Sequence, residues 1–393
     1  MWRCDIARKR TRFVARRKVL GYSQERLAER VRVERSTIAR WESGETAPQP
    51  WFRPKIAQAL KLSLEQLDGL LAEGGVTDAG RSERLDFTLT HPTSVDLVTV
   101  AQLRCQVQQL DQRYDRAPST SLLAEVGQCL GQVGFLGAYA TSGRVRRELY
   151  AVEAEAATLM GQLVWDASQR RDHATAHMYL DQAVIAARQF RDPAAEGLAL
   201  LRKSFVALYG QHDPRAGLDL TAQTAETTTG TSHVLTGLAT LHAAEAHAML
   251  GQQRSCEQAL TRAEAHFDQI DPTDAAIDLF SPTQFGRLAG SCYLFLKDAK
   301  RAQPILDEAA RSLHDRSKSQ AIVLGNLTLA CIRQGNLDEA TVRLHEAIDV
   351  IELTWSGGGL NIVFGAGREL RPWRHVPVVQ DVYDRLLSLM AAA

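Results

Sequence analysis

The sequence predicts an all-α protein made of a short basic head followed by a long array of paired helices. Three observations lead there. Apolar residues recur at three- and four-residue steps along most of the chain, while strand signals are sparse and Ala, Leu, Gln and Arg dominate. Residues 21–44 hold two short amphipathic stretches separated by a tight turn. From residue 176 onward small residues return at intervals near forty, each followed four positions later by a leucine.

A chain of 393 residues is too long for one ordinary core, so two or more domains are expected. The formal net charge of +0 conceals a division: residues 1–75 carry 16 Lys and Arg against 9 Asp and Glu, and the remainder carries 30 against 37. Attraction to phosphate depends on local rather than net charge, and the head has it. The six cysteines, Cys4, Cys105, Cys129, Cys256, Cys292 and Cys331, form no C-x-x-C pair, which argues against a zinc site or disulfide framework and for buried thiols. The N-terminus is basic without the apolar stretch of a signal peptide, and no apolar run reaches the length of a membrane span. A cytoplasmic protein with no membrane partner is expected.

In the head, residues 1–20 read as a basic helix whose Ile6, Phe13, Val14 and Leu20 face its neighbours, its Arg and Lys being left for solvent or phosphate. Ser23 is placed as N-cap of a helix Gln24–Arg30 with the apolar stripe Leu27, Ala28 and Val31. Val33, Thr37, Ile38 and Trp41 give the stripe of a helix Arg35–Ser43, whose polar remainder is Arg35, Ser36 and Arg40, with Gly44 as left-handed cap. The turn ETAPQP leads to helices Trp51–Leu60 and Leu64–Leu71, five in all. Spacing alone would equally suit two packed helices with polar faces.

The residues Ser23-Gln24, Leu27-Ala28, Val31 and Val33, Ser36-Thr37-Ile38, Trp41-Glu42 and Gly44 agree in type as well as spacing with a known pattern. The segment, roughly residues 8–72, resembles the Cro and phage-repressor (Xre) helix-turn-helix family, and the resemblance extends to Arg17, Pro48 and the run Ile56, Ala57, Leu60, Leu64, Leu67. Arg32 and Glu45 depart from it, standing where the family has a small turn residue and often a phosphate-binding cation. The resemblance implies a double-stranded DNA operator as partner, read by a homodimer on two half-sites. It places Arg35, Ser36, Thr37 and Arg40 on the DNA with Gln24 positioning the helix pair on phosphate, and it pairs Arg17 with Glu42 as a buried ion pair.

The segment 73–91, rich in Gly, Asp, Ser and Thr and ending in His91-Pro92, reads as a linker, placed at residues 76–92 between a head of residues 1–75 and a second domain of residues 93–393. There Ala176, Ala216, Cys256, Ala302 and Ala340 are each followed after four residues by Leu180, Leu220, Leu260, Leu306 and Leu344, and after seven by Ala183, Gln223, Ala263, Ala309 and Ala347. Twelve residues before them stand Val164, Ser204, Ala244, Gly290 and Thr328. These offsets resemble tetratricopeptide repeats with a lengthened period, so the expected fold is a five-helix Xre-type helix-turn-helix domain followed by an α-solenoid of tetratricopeptide-like helix pairs. Five pairs are expected over residues 150–353, then a loop at Gly357-Gly358-Gly359 and a closing helix Val376–Met390.

No nucleophile motif or phosphate-binding glycine pattern is present, so neither an enzyme nor a cofactor is expected. His173 and His177 lie four apart on a helix but lack the Glu and third ligand of a metal motif. The repeat register turns Trp165, Phe205, Tyr209, Glu245, Arg287 and Ser291 to the inner face, a groove for a signalling peptide or small-molecule effector, although Trp165 and Phe205 would serve equally as repeat core. The expected function is a transcriptional regulator whose repeats sense a ligand or mediate dimerisation. The alternative is a DNA-localised scaffold whose solenoid recruits another protein.

Overall fold

The computed structural model describes residues 10–43, 46, 48–49, 52–64, 67, 78–313 and 317–392. Among them the regular elements are helices and no strand occurs. The chain divides into two units, Met1–His91 and Pro92–Ala393.

In the first unit, α1 (Thr11–Val19), α2 (Gln24–Val31), α3 (Arg35–Ser43) and α4 (Arg53–Leu60) pack around Phe13, Leu27, Val31, Ile38, Trp41, Ile56 and Leu60, all buried. The Ser23 hydroxyl accepts the Arg26 N–H at 3.1 Å and so caps α2. Arg32 ends that helix at φ 64°, its N–H donating to the Glu29 carbonyl and that of Val33 to Ala28. The sharp turn therefore uses a left-handed residue that carries a side chain. Ile6, Gly44, Glu45 and Trp51 lie outside the described residues. So does most of the expected helix Leu64–Leu71, of which Leu64 and Leu67 are helical.

Residues 78–90, which composition assigns to a linker, form a helix, α5 (Asp78–Thr90). The stretch following Gly80 contains no glycine or proline, and Leu85 and Thr88 are buried three apart. Phe87 stacks on His91 one turn later at 4.6 Å between ring centres. The helix stops where Pro92 disfavours helical geometry in its predecessor.

The second unit opens with α6 (Leu97–Tyr114) and α7 (Leu123–Tyr139). Five antiparallel pairs follow: α8 (Gly143–Ala167) with α9 (His173–Phe190), α10 (Pro193–Phe205) with α11 (Pro214–Thr228), and α12 (His233–Met249) with α13 (Gln253–Phe267). Then come α14 (Pro282–Phe295) with α15 (Ala299–Ser312) and α16 (Lys318–Arg333) with α17 (Leu337–Thr354). The last helices are α18 (Gly357–Leu370) and α19 (Pro377–Ala392). The first helix of the array thus begins at Gly143 rather than near Tyr150.

Ala176, Cys256, Ala302 and Ala340 are buried at the same place in successive second helices, and Leu180, Leu260, Leu306 and Leu344 lie buried beside them. In the second pair the register is displaced by one: Gly217, Thr221 and Thr224 are buried, whereas Ala216 and Leu220 are only half-buried. The cause is the π-helical turn Val206–Gly210 that continues α10. A π turn takes up one extra residue, so the partner helix meets its neighbour one position later. A Cβ on Gly217 would come within 2.3 Å of Leu208.

Asp166, at the end of α8, joins the two ends of the array. Its Oδ2 accepts from Lys318 Nζ at 2.8 Å and from the Ser119 hydroxyl at 2.7 Å, and its Oδ1 accepts the Gly357 N–H at 2.9 Å. Lys318 also donates its N–H to the Asp115 carbonyl at 2.8 Å, and its ammonium lies 4.1 Å from the centre of the Tyr114 ring. Gly357-Gly358-Gly359, expected as a loop, is the first turn of α18, with Ser356 accepting the Gly359 N–H at 3.1 Å. The reason is close approach: a Cβ on Gly357 would lie 2.4 Å from the Asp166 carbonyl oxygen, and one on Gly358 would lie 2.1 Å from the Arg170 guanidinium.

Lys318 and Asp166 are both almost wholly buried. Lys318→Met strands the carboxylate and should lower the stability of the repeat unit by about 3–5 kcal/mol. Urea unfolding of the full chain measures this, and an unchanged midpoint would deny the ion pair its role in closure.

Candidate nucleic-acid interface and polar interior of the repeats

The helix that would read DNA, α3, is fixed from behind by buried polar contacts. Arg17 Nε donates to Glu42 Oε1 at 2.5 Å and Nη2 to Oε2 at 3.3 Å, and both side chains are buried. Arg17 Nη1 also donates to the Tyr22 carbonyl at 2.6 Å, tying the start of α2 to the same guanidinium. Gln24 Nε2 donates to Glu42 Oε2 at 2.6 Å, so its amide group is turned to this carboxylate. The Glu42 side chain therefore ties α1, α2 and α3 together, and it does so with charged hydrogen bonds that tolerate little displacement.

Two further arginines of the basic N-terminal segment, expected to face solvent or phosphate, are used internally. Arg10 is buried, donating from Nη1 to the carbonyls of Trp41 at 2.7 Å and Thr46 at 2.8 Å. Burial lowers its pKa from the ordinary value. Arg16 donates to the carbonyls of Leu60 at 3.0 Å and Lys61 at 2.9 Å. Both place a cation against the carbonyl end of a helix, where the helix dipole favours it. Periodicity gives no sign of these contacts, because a carbonyl partner has no sequence signature.

On the opposite side of α3, Arg35, Ser36 and Arg40 are exposed and Thr37 is half-buried. Arg35 pairs with Glu25 at 2.8 Å on a solvent-exposed surface, and Ser36 donates to Glu34 at 3.2 Å. Such an exposed pair is weak in water and can exchange for phosphate or base contacts.

In the second unit the expected inner-face residues fall into two sets. Trp165 is buried against Ala176, Leu180 and Val206, with the Arg170 guanidinium 4.5 Å from its ring. Tyr209, Glu245 and Ser291 meet: the Tyr209 and Ser291 hydroxyls donate to the two oxygens of the buried Glu245 carboxylate. His242, which the sequence reading passed over, completes this group with Nδ1 at 2.6 Å from the Tyr209 hydroxyl. Its position three residues before Glu245 on one helix was the available signal. Burial, then the Glu245 charge, pushes the Tyr209 hydroxyl well above its usual pKa, and burial lowers that of His242. Phe205 lies against His242 at 4.3 Å between ring centres, and Arg287 Nη1 donates to Ser319 at 3.1 Å.

Among the described residues no group of His, Cys, Asp and Glu is placed to hold a metal ion, and no helix is long and apolar enough to cross a membrane. His173 Nε2 lies 2.9 Å from the Arg170 carbonyl oxygen.

The two-helix geometry, the cap at Ser23 and the buried Arg17–Glu42 pair define the N-terminal unit as a helix-turn-helix domain, carried by a chain whose second unit is an array of helical repeats. The family model described as Helix-turn-helix matches residues 15–67. No curated protein matches the chain. Among solved structures the chain is similar to the one titled "Crystal Structure of Bacillus thuringiensis PlcR in complex with the peptide PapR7 and DNA", at 12% identity over 84% of this chain and 98% of that one, with a TM-score of 0.34. A likeness that distant carries no argument about this chain.

Replacing Glu42 by Ala strands Arg17 and should cost the head about 3–5 kcal/mol, whereas replacing both partners with apolar residues should cost far less. Thermal unfolding of the two variants checks the difference. Arg32→Gly relieves the left-handed backbone and should stabilise the head by about 1 kcal/mol. A fall in melting temperature would mean that the Arg32 side chain contributes more than its backbone costs.

Proposed function

We propose that the protein is a sequence-specific DNA-binding transcriptional regulator whose repeat unit senses a ligand and holds two copies of the chain as a dimer. The observation that carries the DNA-binding part is α3 itself: Arg35, Ser36 and Arg40 are exposed on a helix whose other face is locked by Arg10, Arg17 and Gln24. A helix entering the major groove must be rigid where it is supported and polar where it reads, and α3 is both. The local excess of Lys and Arg supports the same reading, since it attracts the phosphate backbone.

The sensing part draws its support from the interior of the repeats. Glu245, Tyr209, Ser291 and His242 form a largely buried polar group on successive first helices, costly to desolvate. A ligand that bound there would act on operator affinity by favouring one arrangement of the dimer, with a typical coupling of about 1–3 kcal/mol.

Arg40→Ala should weaken operator binding by about 1–3 kcal/mol while leaving binding to random duplex nearly unchanged. Fluorescence anisotropy on an operator selected from a random-sequence pool, beside a scrambled duplex, measures both. Equal losses on the two duplexes would remove Arg40 from base reading. Footprints covering two half-sites about one helical turn apart, or a multiple of it, are expected for the dimer.

A further inference from the structure

Arg202 on α10 and Arg287 on α14 are connected through side chains that touch in sequence. The Arg202 guanidinium lies 5.2 Å from the centre of the Phe205 ring, and Phe205 packs on His242. His242 meets Tyr209, which donates to Glu245, and Glu245 accepts from Ser291, one turn along α14 from Arg287. Among the described residues neither guanidinium has a carboxylate within ion-pair distance. Arg202 Nε and His242 Nε2 are both buried without a hydrogen-bond partner, and His242 as a whole is only 3% exposed. Buried donors are normally satisfied, and the bare Arg202 N–H marks a place where an acceptor belongs.

We propose that Arg202 and Arg287 form a binding site for a small organic anion, with its carboxylate or phosphate held by the two guanidiniums and its apolar body against Phe205. The proposal rests on the reading of the repeat unit as a ligand sensor and names the ligand's chemistry. Planar guanidiniums bind such oxyanions through paired N–H donors, and an aromatic wall beside them suits an attached ring or chain. The electrostatics agree. Burial lowers the pKa of both arginines, and the charge of Arg287 adds to the lowering at Arg202. Both charges also help to depress His242, although burial is the larger cause. The carboxylates that oppose this positive charge are Asp111 near Arg202 and Asp115 and Glu245 near Arg287, and burial raises the pKa of Asp111 and Asp115. An anion arriving between the arginines would relieve their repulsion and supply the missing acceptor.

The test uses the full chain and two probes at constant ionic strength, inorganic phosphate and benzoate, with chloride as reference. Saturable stabilisation in a thermal-shift titration by at least one probe is expected, and the probe that acts identifies phosphate or carboxylate as the preferred group. Arg202→Gln and Arg287→Gln should each weaken that response by at least about tenfold, the loss expected when one charged hydrogen-bonding partner is removed. Arg262→Gln, on an exposed surface, should leave it intact. Should a Gln variant fail to fold, Arg202→Lys and Arg287→Lys keep the charge but lose the paired donors, and they too should weaken binding. No saturable response to either probe, or equal affinity in wild type and all Arg202 and Arg287 variants, overturns the site. Operator affinity measured alongside separates the two claims. Anion binding that leaves operator affinity unchanged upholds the site and overturns the sensor reading, while operator binding without any anion response overturns the site and leaves DNA binding standing.

Discussion

Close approach between helices is the constraint on which the repeat unit depends. Where a first helix meets a neighbour, the contact is made at a glycine whose Cβ would collide with a side chain: Gly161 and Gly290 with Leu180 and Leu306, Gly197 with Thr228, Gly237 with Phe267, Gly325 with Ile362. Each such glycine costs helix propensity of about 1 kcal/mol relative to alanine. The loss is offset by the dispersion contacts of the side chain seated over the backbone. Helices held this close stack with a fixed rotation per pair, and that rotation brings α16 and α18 back to α6 and α8. The polar interior lined by α10, α12 and α14 follows from the same stacking.

Two carboxylates are used in a similar way in the two units. Glu42 receives donors from Arg17 and Gln24, and Asp166 receives them from Lys318, Ser119 and Gly357. A buried carboxylate is tolerated only when most of its lone pairs are occupied, so each fixes several elements at once. Hydrophobic packing could hold these helices with more freedom to slide. The directional contacts set their relative positions, which matters most for α3, whose exposed side chains must keep a fixed spacing.

The helical class, the two-helix geometry at residues 21–44 and the five pairs were legible because apolar periodicity and small residues report local packing directly. The Arg17 and Glu42 contact was legible through a resemblance. The one-residue displacement at Gly217 was not, because a π turn leaves no mark in apolar spacing. Helix α5 was hidden by a composition typical of linkers, and the glycines at 357–359 read as a loop because their partner, Asp166, stands 191 residues away. His242 and Arg202 were missed for a related reason: each looks ordinary on its own helix and gains meaning only from neighbours on the next.

Joining the ends of the array through Asp166 alters what kind of object it is. An open solenoid is modular: repeats can be gained, lost or unfolded one at a time, because each touches only its neighbours. Here the Lys318 and Gly357 contacts span 152 and 191 residues, so inserting or deleting a single pair would carry both donors away from their acceptor. The number of repeats is consequently fixed by geometry rather than by length alone. The closing contacts have high sequence separation, which makes them slow to form. The array should melt as a whole and vary among descendants by substitution, seldom by duplication.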